Sequence, residues 1–107
     1  MSDYTLKKKI VTLAGDEITE LHFDFDSLTP LDYRQIVRIE GKLKGISPEN
    51  PSLDINLGKK ASSEFRMAAA WIAAVKGTKG LCVDDLDKLS MADLLEMETE
   101  GLLFFAL

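Results

Sequence analysis

Few residues in this chain are of a type that does chemistry. There is one histidine and one cysteine. His22 falls at a wet position of a predicted strand, with no Ser, Cys or Asp arranged around it as a triad would need, and reads as a solvated histidine. Cys82 lies between Leu81 and Val83 with no cationic neighbour to lower its thiol pKa, so it is expected to be a small core residue. The densest carboxylate cluster, Asp84-Asp85-Leu86-Asp87, lacks the glycine and terminal glutamate of a calcium loop. Acidic residues near helix N-termini, where the dipole favours them, account for it. Gly58-Lys59-Lys60 resembles the end of a phosphate-binding loop, but Leu53 stands where the first glycine belongs and Lys60 where Ser or Thr belongs. The basic run Lys7-Lys8-Lys9 splits its charges between two strand faces and is expected to keep the strand soluble and, if the strand lies at an edge, to discourage edge pairing. The expectation is a chain with no catalytic residue, no metal site and no cofactor.

Composition agrees with that reading. A chain of 107 residues, 46% apolar and 29% charged, is expected to form a single domain over 1–107. A domain this size buries roughly two-thirds of its unfolded surface and needs no disulfide or metal to fold. With 13 basic against 18 acidic residues, the net charge of -5 disfavours nucleic acid and anionic membranes, both of which reward a positive surface. The longest apolar run, Met67 to Val75, is about half of a bilayer span. Met1-Ser2-Asp3-Tyr4 has no apolar signal-peptide core, and a lone cysteine does not point to an oxidising compartment. A cytoplasmic location is expected.

The elements that must position any site follow from periodicity and punctuation. Residues 1–26 read as a β-hairpin. Tyr4, Leu6, Lys8 and Ile10 alternate weakly, then Val11 and Leu13 take the opposite parity, which implies a bulge or bend. Ala14-Gly15-Asp16-Glu17 supplies the turn, and Leu21, Phe23 and Phe25 alternate with Glu20, His22, Asp24 and Asp26. A first helix over 29–44 starts at Thr29-Pro30, with Asp32 completing a capping box, and ends at Gly45. Pro48, Asn50, Pro51, Asn56 and Gly58 make 46–61 a loop. A second helix over 62–76 is capped by Ser62 or Ser63 and ends at Gly77. A helical turn is expected around Asp84 to Asp87, and Ser90 with Asp93 opens a third helix over 90–105. The fold class is α+β, an N-terminal hairpin packed against three helices.

The helix faces carry the interaction candidates. On the first helix Tyr33, Ile36, Val37, Ile39 and Leu43 share an arc, with Arg34, Arg38 and Lys42 opposite as a basic stripe. The second helix is apolar all round, which requires burial on every side, with Trp71 as anchor. On the third, Met91, Leu94, Leu95, Gly101, Leu102 and Phe105 are expected to face the core, with Asp93, Glu96 and Glu100 as an acidic stripe opposite. The two stripes are expected to meet between neighbouring subunits as weak and salt-sensitive self-association. Leu103 and Leu107 project with the acidic stripe and Phe104 sits at the boundary, so these three form a candidate grip on an amphipathic helix.

The ordered features Tyr4-Thr5-Leu6-Lys7-Lys8, Ala14-Gly15-Asp16-Glu17, Ile18-Thr19-Glu20-Leu21 and Leu28-Thr29-Pro30-Leu31-Asp32 carry a resemblance. It resumes over Arg66 to Val75 and over Leu86-Asp87-Lys88-Leu89-Ser90-Met91-Ala92-Asp93, and closes in Gly101-Leu102-Leu103-Phe104-Phe105. The chain resembles the small tail assembly chaperones of tailed bacteriophages, most closely those of contractile-tailed phages and prophages. Many relatives have proline near Lys9; its absence here alters one strand position. The resemblance implies a protein that binds the tape-measure protein in the bacterial host cytoplasm, keeps it soluble, helps the tail-tube protein polymerise around it, and is absent from the mature virion. It also implies a longer form made by frameshifting in many relatives. The alternatives are a structural tail component, or a small ligand-binding domain using Glu49, Asn50, Asp54 and Asn56.

Overall fold

A computed structural model describes residues 2–45 and 62–105, leaving aside the side chains of Ser2 and Phe105. The loop expected over 46–61 and the candidate residue Leu107 lie outside the described residues, as does the side-chain direction expected of Phe105. The architecture is α+β: an antiparallel hairpin of β1 (Ser2–Val11) and β2 (Glu17–Phe23), then α1 (Pro30–Lys44), α2 (Ser63–Gly77) and α3 (Met91–Phe105). A 3-10 turn over Phe25–Ser27 follows the hairpin, and a second over Val83–Lys88 precedes α3. Phe25, expected on the strand, therefore lies in a turn, where Asp24 and Ser27 bond side chain to side chain at 2.6 Å. No described helix is long and apolar enough to cross a membrane.

Helix α1 is delimited by local chemistry, as its residues lead one to expect. The Thr29 hydroxyl accepts from the Asp32 N–H at 3.4 Å while the Asp32 carboxylate accepts from the Thr29 N–H at 2.8 Å. Pro30 occupies the first helical position, where its missing N–H costs nothing. Gly45 ends the helix at φ 71°, a conformation that glycine alone adopts without strain. Its inner face buries Ile36 and Ile39, and Tyr33 turns out to the rim, its ring 6.0 Å from that of Phe65. Glu40 takes a buried place instead, accepting from Ser62 Oγ at 2.6 Å and pairing with Lys44 Nζ at 3.0 Å.

Helix α2 is the axis of the fold. Every residue from Ala68 to Ala74 is buried, and Trp71 is wholly enclosed with its indole N–H donating to the Val83 carbonyl at 2.9 Å. The small alanine side chains let α1, α3 and β2 all pack against it. The approach of β2 is close enough for backbone contact: Asp24 N–H donates to the Ala73 carbonyl at 3.1 Å, and His22 N–H to Thr78 Oγ1 at 2.9 Å. A side chain at Gly77 would collide with the His22 carbonyl, so glycine is required there for proximity.

The hairpin is bulged, but not at the change of parity after Ile10: Ile10 and Val11 pair regularly with Ile18 and Glu17, and the irregularity lies before them in the strand. Thr5 pairs with Glu20 and Ile10 with Ile18, so Leu6 to Lys9 stand opposite Thr19 alone. The lysine run is thus the bulge itself. Cys82, expected in the core, is exposed; its backbone N–H donates to Asp85 Oδ2 at 2.9 Å, and Leu81 beside it takes the buried position.

Candidate protein-interaction surface

The orientation of α3 is set by Asp93. Ser90 Oγ caps the helix, accepting from the Asp93 N–H at 3.2 Å and donating to Asp93 Oδ2 at 2.7 Å. The same carboxylate reaches into the β1 bulge. There it accepts from the Tyr4 hydroxyl at 2.6 Å and from the backbone N–H groups of Lys7 and Lys8 at 3.0 and 3.2 Å. The bulge frees these two N–H groups from the strand ladder, and Asp93 satisfies them. Burial pushes the Asp93 carboxyl upward, but the bonds from Tyr4, Lys7, Ser90 and Lys8 outweigh it and hold the pKa below the ordinary value. Burial and the Asp93 bond push the Tyr4 phenol well above its usual range, and the charges of Asp93, Glu96 and Glu100 add to the shift.

This anchorage turns the helix relative to the expected projection. Asp93, Met97 and Gly101 face inward, and at Gly101 an added side chain would collide with the Arg66 carbonyl of α2. Asp93 is therefore no member of a solvated stripe, being wholly buried with its carboxylate committed to β1. Glu96 and Glu100 are half-buried on the flank nearer Tyr4. The expected apolar arc is displaced outward: Met91 is 69% exposed, Leu95 54% and Leu102 47%. Leu103, expected in water, is 60% exposed. Phe104 is half-buried and stacks on Phe25 with ring centroids 4.4 Å apart, so it belongs to the internal packing.

The basic stripe of α1 does point outward, with Arg34, Arg38 and Lys42 all exposed. Lys42 is engaged by Asp87 at 3.0 Å within the chain rather than by α3. Asp93 being enclosed, the expected pairing of the two stripes between subunits cannot use it. Elsewhere, Arg66 on α2 pairs with Glu98 on α3 at 2.7 Å, and this bond, with a smaller one from Ser63, lowers the Glu98 pKa. His22 sits between Asp3 at 2.8 Å and Glu20 at 3.4 Å. The Asp3 bond raises its pKa against a smaller opposing effect of burial, and the Asp3 and Glu20 charges add to the rise. Among the described residues no group of three or more His, Cys, Asp or Glu is placed to hold a metal ion.

The outstanding surface feature is therefore the outward face of α3, which a helical projection misassigned to the core. A signal for it is present in the sequence: Met91, Leu95, Glu98 and Leu102 follow one another at spacings of four, three and four, the rhythm of a helix–helix seam. Comparison with protein-family models, with curated proteins and with solved structures finds no match for this chain.

Proposed function

We propose that this chain is a non-catalytic tail assembly chaperone of a tailed phage, which binds the tape-measure protein, keeps it soluble and promotes polymerisation of the tail tube. The motifs that resemble that family support the reading, and the observation that carries it is the outward face of α3. Met91, Leu95, Leu102 and Leu103 hold large apolar side chains in water on one helix, while the opposite side of that helix is locked to β1 and α2. Clustered exposure of this kind marks a binding surface. Covering each such side chain contributes about 1.5–3 kcal/mol, enough in total for a reversible grip once the cost of association is met. A chaperone that must leave before the particle is complete needs a grip of that order.

Co-expression with candidate tape-measure proteins tests the proposal. The expected result is a tape-measure protein that is soluble with this chain and aggregated without it, and purified particles that lack the chain. Presence of the chain at fixed stoichiometry in finished particles would make it a structural component instead.

A further inference from the structure

We infer that His22 is a pH-sensitive clasp at the open end of the hairpin, bridging Asp3 of β1 and Glu20 of β2 while both ring nitrogens carry a proton. Nothing in this clasp depends on the chaperone reading.

Position comes first. Asp3 and His22 are direct cross-strand partners. The His22 backbone N–H turns away from β1 and donates to Thr78 Oγ1 at 2.9 Å. The pair is therefore of the non-hydrogen-bonded kind, in which facing side chains stand closest, and the ladder bonds fall to the neighbouring pair of Tyr4 and Leu21. Nδ1 of the ring lies 2.8 Å from an Asp3 oxygen, and Nε2 lies 3.4 Å from a Glu20 oxygen.

The proton count comes second. A neutral imidazole has one N–H, so whichever nitrogen keeps it, the other aims a lone pair at a carboxylate. The imidazolium donates at both nitrogens and satisfies both neighbours. Among the described residues, β1 presents Asp3 to the ring and β2 presents Glu20, and theirs are the charges felt there. Helix α2 and the connection after it meet the His22 backbone through Gly77 and Thr78, neither of them charged. Lys76 of α2 is turned to Asp32 and the Ser27 carbonyl, and Asp24 is bonded to Ser27.

The fastening of each strand decides which one responds. The end of β2 is tied to α2 and Thr78 by the backbone N–H groups of Asp24 and His22. The start of β1 is held by the ladder, by the Asp3 contact and by the Tyr4 hydroxyl on Asp93. Loss of the proton therefore loosens β1 from β2 and leaves β2 in place. The folded-state pKa of His22 stands above the ordinary 6.5, so the clasp is complete below 6.5 and is lost as pH rises through the raised value.

NMR on the full chain tests the clasp. With one histidine in the chain, the imidazole signals titrate without overlap. The parent midpoint is expected above 6.5, and Asp3→Asn is expected to lower it more than Glu20→Gln does. Amide exchange at Tyr4 and Leu21, corrected for the intrinsic effect of pH, is expected to quicken in the parent across that midpoint. Linkage sets the size: local opening should become about tenfold easier for each pH unit by which the midpoint exceeds 6.5. In His22→Gln the corrected exchange is expected to stay flat over the same range. A midpoint at or below 6.5, or one unmoved by Asp3→Asn, would overturn the clasp, and Glu20→Gln decides in its place if Asp3→Asn fails to fold. So would a raised midpoint across which the corrected exchange at Tyr4 does not change.

Discussion

Helices α2 and α3 are each 15 residues long and rich in apolar side chains, yet α2 disappears into the protein and α3 keeps a seam in water. The difference lies in side-chain size and in how each helix is held. Five alanines between Ala68 and Ala74 let neighbours approach α2 from several sides, so its surface is consumed by packing. Helix α3 is held through Asp93, Met97 and Gly101, with Glu98 on Arg66 and Phe104 on Phe25 beside them, while Met91, Leu95, Leu102 and Leu103 project away from that attachment. Apolar character alone thus fails to separate a helix that stabilises the fold from one that also offers a surface. The way the helix is fastened separates them.

Substitutions sharpen the contrast, and the largest effect is expected in α2. Trp71→Ala should destabilise the protein by about 3–5 kcal/mol, because a wholly enclosed ring leaves a cavity and the Val83 carbonyl loses its donor. Urea denaturation measures this, and a loss under about 1 kcal/mol would mean that the site collapses freely.

The fastening of α3 comes next. Asp93→Ala should cost about 2–3 kcal/mol by stranding the Lys7 and Lys8 N–H groups and the Tyr4 hydroxyl. Its pH dependence has a definite sign. The folded-state pKa of Asp93 lies below the ordinary 3.8, so its contribution is complete above that value and is lost as pH falls through the depressed folded value. The stability difference between parent and Asp93→Ala should therefore be flat at neutral pH and shrink only in that acid range. A difference that shrinks between neutrality and mild acid would assign the effect to another group.

Gly101→Ala is expected to destabilise by about 1–2 kcal/mol even though alanine is the better helix former, since the obstacle is the Arg66 backbone carbonyl and cannot swing aside. A stabilised variant would show that α3 can draw away from α2 at little cost. The smallest effect is expected on the seam itself, where Leu95→Ser with Leu102→Ser should move stability by no more than about 0.5 kcal/mol. A loss of several times that would make the seam part of the fold and erase the contrast with α2.

What could be read from the residues, and what could not, follows from the range of the interactions. The ends of α1 were legible because Thr29, Pro30, Asp32 and Gly45 act on their own backbone. The burial of α2 was legible because seven consecutive residues without a polar side chain leave no face for water. The face of α3 was misassigned because the projection treats a carboxylate as solvent-seeking. Asp93 satisfies that rule only until Tyr4, Lys7 and Lys8 are brought to it, and their arrival depends on the whole topology. Cys82 was misplaced for a related reason, since flanking Leu81 and Val83 say nothing about which way an extended connection turns its side chains. The candidate residues Leu103, Arg34 and Arg38 do lie in the open, whereas Phe104 closes against Phe25.

The bond between Asp93 and the bulge also orders events during synthesis. Lys7 and Lys8 are translated 86 and 85 residues before the carboxylate that receives their N–H groups. Until then the bulge lacks the acceptor that its two freed N–H groups find in the folded protein. β1 is finished only when α3 has been made, and the helix that completes it is the helix that carries the seam. A nascent chain stopped short of residue 93 has neither a finished hairpin nor a binding surface, so the two are completed together.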